Sequence, residues 1–266
     1  MSAPTPRAAL LAAVERSPEA TAAHDRTAWV GLFSADGRVQ DPVGSQPHVG
    51  HQAIGRFYDT FIGPRTITFH RDADIVVGNT VLRDLELEVA MGQSVRMHIP
   101  AYLRYDLTGP EDDLKIVRLQ AYWELPAMIG EFVRNGFGAV PAGLGLSSAL
   151  LRNQGPRGAL GFLSGMRTGG RRAKRHLTEV LVDAAAGDEL AVKRRLPEHV
   201  QITRGDDVRL ALSEFTTALT GARIRKVITA GRFVVAGLDR DGQRTLVIAE
   251  LAPDRPVIGA LRLFAE

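Results

Sequence analysis

The chain has 266 residues, 45% hydrophobic and 24% charged, with 33 Lys and Arg against 30 Asp and Glu for a net charge of +3. This is ordinary globular composition, with enough apolar sequence for one large core or two small ones. There is no cysteine, which excludes disulfides, thiolate nucleophiles, cysteine-ligated zinc and iron–sulfur clusters.

Met1 to Pro6 lacks a basic region followed by an apolar run, so no signal peptide is expected. No window stays apolar over the ~20 residues that a membrane-spanning helix needs. With the missing cysteines, these features lead to the expectation of a cytoplasmic protein.

Residues 8–33 read as helix, with Ala20, Ala23, Trp29, Leu32 and Phe33 at roughly helical spacing. Asp36-Gly37 reads as a turn, and Val39 begins a short strand ending at Pro42. A second helix runs from His51 to Phe61, with Ile54, Phe57, Tyr58 and Phe61 along one side. Strand patterns follow at Thr66–Val77, Val81–Met91, Val95–Tyr105 and Leu114–Trp123. Helix, short strand, helix and a meander of long antiparallel strands make a cone: a curved sheet wrapped over helices.

Residues 126–174 differ. They are rich in glycine and small apolar residues, interrupted by Pro141 and Pro156. Two readings stand side by side: a cover packed across two domains, or an interfacial membrane element with Arg152, Arg157, Arg167 and Arg171 toward headgroups. The basic run Arg167, Arg171, Arg172, Lys174 and Arg175 likewise suits a solvated linker or an anionic surface.

From Arg175 the first pattern returns. Helix is expected at 177–196 and 207–219, and strands at 200–203, 226–238, 244–251 and 257–264. Asp239-Arg240-Asp241-Gly242 carries a hairpin signal. Ala185-Ala186-Gly187-Asp188 echoes Ala22-Ala23-His24-Asp25, and Val200-Gln201-Ile202-Thr203 echoes Arg38-Val39-Gln40-Asp41. The chain thus reads as a duplication: domains at 1–125 and 175–266 around a helical linker at 126–174, the second copy shorter.

The most informative segment is Val39-Gln40-Asp41-Pro42-Val43-Gly44-Ser45-Gln46-Pro47-His48-Val49-Gly50. A carboxylate precedes a proline and a glycine turn, with helix-patterned sequence on both sides. Together with Phe33, Ile54, Phe57, Tyr58 and the ending Leu119-Gln120-Ala121-Tyr122-Trp123, it resembles the ketosteroid isomerase and SnoaL-like branch of the nuclear transport factor 2-like superfamily. The resemblance covers residues 10–125, and 175–266 at the level of fold. It implies an α+β protein of two cone-shaped NTF2-like (cystatin-like) domains, the second degenerate.

The resemblance also implies roles. In that family an aspartate base moves a proton beside a steroid carbonyl, and a tyrosine and a protonated aspartic acid hold the oxyanion. Asp41 matches the base, and Tyr58 matches a tyrosine that braces the site. Phe57, Leu103 and Trp123 are candidates to line the pocket. Ungapped alignment places Ser17 at the oxyanion tyrosine and Ala101 at the protonated acid, so both donors are replaced. Tyr102 would serve if a bulge at Pro100 turned it inward. Tyr122, His98 and His70 are other candidate donors.

His48 and His51 flank the turn without a third ligand, so no metal is expected, and no cofactor. Three functions follow: a proton-transfer isomerase on a steroid-like or carbonyl-bearing substrate, a non-catalytic binder of sterol- or lipid-like molecules, and a SnoaL-type cyclase or epoxide hydrolase. The expected partner is a small hydrophobic molecule, not nucleic acid. Membrane contact would run through 126–175. The two copies would form a pseudo-dimer within one chain, with a homodimer as the other arrangement.

Overall fold

The computed structural model describes residues 4–91, 95–134, 170–253 and 257–266, the side chains of 130–134 excepted. The chain divides into two units, Met1–Asp74 with Gly78–Met166, and Arg167–Glu266 with Ile75–Val77.

In the first unit, α1 (Arg7–Ala22) and α2 (Arg26–Gly31) replace the single helix expected at 8–33. The break is backbone geometry. His24 adopts φ 52°, a left-handed conformation that ends a helix. Asp25 then caps α2, its carboxylate accepting from the Ala28 N–H at 2.8 Å. On α1, Leu10, Ala13, Val14, Ser17, Ala20 and Thr21 are buried, a stripe at helical spacing.

Strand β1 (Phe33–Gln40) runs through the turn expected at Asp36-Gly37. That turn becomes a register shift between Phe33 and Arg38. After β2 (His48–Val49) comes α3 (Gly50–Phe57), which continues as a π-helical turn, Tyr58–Ile62. Then follow β3 (Thr66–Val77), β4 (Thr80–Met91), β5 (Val95–Thr108), β6 (Lys115–Tyr122) and α4 (Leu125–Arg134). The sheet order is β2-β1-β6-β5-β4-β3. β1 and β6 pair parallel, while β4–β5 and β5–β6 pair antiparallel.

Alternation along the strands separates two faces. Val39, Leu119, Ala121, Ala101, Leu103, Tyr105 and Arg83 share one. It faces α1, because Arg83 donates to Glu15 of that helix at 2.9 Å. Gln40, Gln120, Tyr122, Tyr102 and Arg104 share the other.

The second unit repeats this order. Helices α5 (Gly170–Ala185) and α6 (Glu189–Arg195) precede β7 (Gln201–Arg204), β8 (Val208–Arg209) and α7 (Leu212–Leu219). β9 (Arg223–Ala230), β10 (Phe233–Arg240), β11 (Gln243–Leu251) and β12 (Ile258–Ala265) complete it. The sheet order is β8-β7-β12-β11-β10-β9, with β7 and β12 parallel. Even the helix break recurs: Gly187 at φ 77° stands for His24, and Asp188 caps α6 from Ala191 N–H at 2.9 Å. Each unit is therefore one α+β layer pair, and the duplication is structural.

Several expected elements are corrected here. The helix expected at 177–196 is two helices broken at Gly187. The helix expected at 207–219 begins only at Leu212, because Val208–Arg209 pairs with β7. The strand expected at 226–238 is two strands, since Ala230 pairs with Phe233 around a turn at Gly231 (φ 55°) and Arg232. The hairpin signal holds: Arg240 pairs with Gln243, and Asp241 and Gly242 take φ 52° and 83°, a type I′ turn. Of the expected linker, the first residues continue into α4 and the last lie in α5; residues 135–169 fall outside the described residues.

The first unit carries a buried ion pair. Arg83, 1% exposed, donates to Asp74 at 2.8 and 3.2 Å as well as to Glu15. Removing one partner strands the other charge in a low-dielectric setting. The expected outcome for Arg83→Leu is a loss of about 3–5 kcal/mol from the first unit. Both tryptophans, Trp29 and Trp123, lie in this unit, so urea unfolding followed by tryptophan fluorescence reads it directly.

Candidate functional site

The Asp41 turn forms where β1 leaves the sheet. The Asp41–Pro42 peptide is cis, and Gly44 takes φ 101°, a conformation that favours glycine. The turn is tied on one side to β6: the Val43 N–H donates to the Ala121 carbonyl at 2.8 Å. On the other it closes on itself, as the Ser45 hydroxyl donates to the Pro42 carbonyl at 2.6 Å.

A chain of side chains on the sheet face away from α1 holds the same turn. The Tyr122 hydroxyl donates to Gln120 Oε1 at 3.1 Å. Gln120 Nε2 donates to Gln40 Oε1 at 3.1 Å, and Gln40 Nε2 donates to the Ser45 carbonyl at 2.9 Å. Sequence inspection missed Gln40 and Gln120. Their partnership exists only because β1 and β6 pair in parallel with these residues in register.

The Asp41 carboxylate has one strong partner. Trp123 Nε1–H donates to Asp41 Oδ1 at 2.6 Å. Burial is the larger influence and pushes the carboxyl up to about 6; the indole donor, which favours the anion, offsets part of this. Among the described residues, burial and Trp123 alone perturb Asp41. The result is a carboxylate whose proton affinity lies near neutrality.

The other candidates fall into three places. Phe57 packs in tilted contact with His48 and Phe61, each at 5.1 Å, beside the turn. Tyr58 packs 5.5 Å from Trp29, and its hydroxyl is buried with no partner among the described residues. Leu103 and Ala101 lie on the α1 face, the face that Asp41 and Trp123 continue by alternation. Tyr102 and Tyr122 pair in register on the opposite face. The bulge at Pro100 that would turn Tyr102 inward is absent, because β4 and β5 run in unbroken register from Thr80↔Asp106 to Met91↔Val95. His98 also faces away and meets Glu86 at 2.8 Å, and His70 meets Glu88 at 2.9 Å.

Ser17, at the aligned oxyanion position, is buried and engaged. It accepts from Trp29 Nε1 at 3.2 Å and lies in hydrogen-bond reach of Tyr105. Burial pushes the Tyr105 phenol up to about 12, so it stays protonated. His48 is held neutral by burial, reinforced by the charge of Arg56. His51 donates through Nε2 to the Phe33 carbonyl at 2.9 Å. Among the described residues no group of three or more His, Cys, Asp or Glu is placed to hold a metal. A cleft of about 250 Å³ lined by Glu15, Thr21, Phe69, Arg71 and Arg83 includes none of the expected site residues.

Residues 14–118 match the family model of the SnoaL-like domain. The first unit is a SnoaL-like domain. None of the curated proteins matches the chain. Among solved structures, a Δ5-3-ketosteroid isomerase from Mycobacterium sp. is 25% identical, with a TM-score of 0.42 over 45% of this chain and 96% of that one. A Mycobacterium tuberculosis protein in complex with estradiol-17β-hemisuccinate is 22% identical, with a TM-score of 0.41 over 44% and 95%. An LEH-like epoxide hydrolase of M. tuberculosis is 15% identical, with a TM-score of 0.42 over 51% and 97%. Each unit has one six-stranded mixed sheet together with helices.

The second unit differs from the SnoaL-like domain at the Asp41 position. Buried Val39 pairs with Leu119, and buried Ile202 pairs with Leu261. By that pairing the copies align one residue away from the sequence echo, and Arg204 stands at the position of Asp41. Only residues 205–207 separate β7 from β8, where the SnoaL-like domain has the whole Asp41 turn.

A raised carboxyl carries a stability cost with a definite sign. The unfolded chain ionises Asp41 near pH 4, the folded chain near 6. The contribution is therefore full below about pH 4 and is lost as pH rises through about 6. Asp41→Asn keeps an acceptor for Trp123 and removes the charge. It is expected to be about 2–3 kcal/mol more stable than the parent at pH 7.5 and about equal at pH 4 in urea denaturation.

Proposed function

We propose that the SnoaL-like domain binds an apolar, carbonyl-bearing molecule of steroid-like size and that Asp41 shuttles a proton between two carbons of it. The observation that carries this is the Asp41 carboxylate, half-buried, held by Trp123 at 2.6 Å and pushed up to about 6. A general base works best when its pKa lies near the working pH. Ionised, it abstracts a proton alpha to a carbonyl; protonated, it returns the proton to the conjugated position. Electrons move from the broken C–H bond through the dienolate, so no redox partner is needed. Trp123 fixes the carboxylate, and Phe57 and Leu103 supply apolar wall.

A second reading has its own observation. Ser17 is occupied by Trp29 and Tyr105, and Ala101 has no donor side chain. Loss of a single oxyanion donor typically costs ~10²–10³ in rate. A domain that bound the same ligand without turning it over would be built this way. Epoxide opening ranks below both, because among the described residues no second carboxylate acts on Asp41.

Solvent deuterium exchange into androst-5-ene-3,17-dione, with the conjugated enone followed by absorbance, separates the two. The expected outcome is exchange that rises with pH through about 6 and levels off above it, as Asp41 ionises. Asp41→Asn is expected to lose about 10²–10⁴ of that rate while remaining folded. Saturable binding without exchange would assign the binder; exchange unchanged in Asp41→Asn would remove Asp41 from the chemistry.

A further inference from the structure

Arg65 follows the π-helical turn and sits at the far end of the aromatic row that begins beside Asp41. His48 pairs with Val39, two residues before Asp41, and packs on Phe57. Phe57 packs on Phe61, and the Arg65 guanidinium lies 5.9 Å over the Phe61 ring. Arg65 Nη1 donates to the Thr60 carbonyl at 2.7 Å, and Nε donates to Met91 Sδ at 3.3 Å.

Among the described residues Arg65 lacks an acid. The buried Arg83 has Asp74 and Glu15, and the buried Arg104 has Asp106 at 2.9 Å. Arg65 is half-buried yet has no carboxylate in ion-pair range among the described residues. Outside the described side chains the sequence holds only two acids, Glu131 and Asp254. Burial alone acts on the Arg65 guanidinium and pushes it down to about 10, so it remains charged at neutral pH. A desolvated charge without a counter-charge is unfavourable and attracts one.

The donor pattern indicates the shape of the missing anion. A thioether is a weak acceptor, so Nε is poorly satisfied, and Nη2 has no partner among the described residues. The Nε/Nη2 edge is the pair of donors that matches both oxygens of a carboxylate. Phe61 and Met91, both half-buried, supply apolar surface next to it.

We propose that Arg65 is the anion subsite of this domain, taking the terminal carboxylate of an elongated apolar ligand whose body runs past Phe61 toward Asp41. This rests on the domain taking an apolar ligand and does not depend on whether Asp41 turns it over.

The test uses the full chain, isothermal titration calorimetry and two matched pairs: 3-oxoandrost-4-ene-17β-carboxylate with its methyl ester, and dodecanoate with its methyl ester. The wild type is expected to bind at least one acid about 10- to 100-fold tighter than its ester, the range of a hydrogen-bonded charge pair. Arg65→Gln loses that preference and keeps the ester affinity; Asp41→Asn keeps the preference. Arg65→Lys retains the charge without the two-donor fork and keeps a reduced preference, which also serves if Arg65→Gln does not fold. A merely structural Arg65, capping Thr60 and stacking on Phe61, would lower Tm on substitution and leave the acid-to-ester ratio unchanged. Equal affinity for acid and ester, a preference that survives Arg65→Gln, or no binding of any of the four compounds overturns the proposal. A clear acid preference with no proton exchange in the wild type would instead sink the Asp41 chemistry and leave Arg65 standing.

Discussion

Parallel pairing of β1 with β6 is the constraint on which the site depends. It joins strands about 80 residues apart in sequence, with Val39 beside Leu119 and Gln40 beside Gln120. The ends of both strands then emerge at the same edge. Asp41 meets Trp123 there, at 2.6 Å, and the Val43 N–H reaches the Ala121 carbonyl. Two independent sets of contacts fix the turn, the indole from the α1 side and the Tyr122–Gln120–Gln40–Ser45 chain from the other. A turn held from both sides loses little entropy when a ligand arrives.

The duplication keeps the framework and loses the Asp41 turn. Both units place their parallel pair at the same point in the sheet order, and both break their first helix with a left-handed residue followed by an aspartate cap. Such features are set by backbone geometry and tolerate sequence drift. The base does not. Arg204 replaces Asp41, and the long turn shrinks to residues 205–207. The second core is nonetheless complete, with Leu177, Leu181, Phe215, Leu219, Val247 and Leu261 buried together.

Much of the fold was legible because its strands are long and half-buried. β3 lies where alternation placed it, and β4 to β6 start and end within a few residues of expectation. The helix breaks were less legible. His24 is not a residue type that advertises a left-handed conformation, and Gly231 sits inside a run that otherwise reads as one strand. At the site, Asp41 was visible from its proline and glycines, and Trp123 from the ending it shares with a known family. The link between them was not, since no local pattern reports a parallel register. Tyr102 was a reasonable candidate by proximity in sequence to Ala101, but strand alternation puts it on the far face. Nothing in the sequence pattern singles out Arg65, because the lack of a counter-charge among the described residues is a property of the folded surroundings alone.

The account turns on a single quantity, the proton affinity of Asp41. Selective ¹³C labelling of aspartate, assigned with Asp41→Asn, allows its carboxyl to be titrated by NMR in the intact chain. A midpoint near 6 is predicted from its burial, moving higher in Trp123→Phe as the indole donor to the anion is lost. A midpoint near 4 that ignores Trp123→Phe would show a solvated turn residue and contradict the assignment of Asp41 as the base.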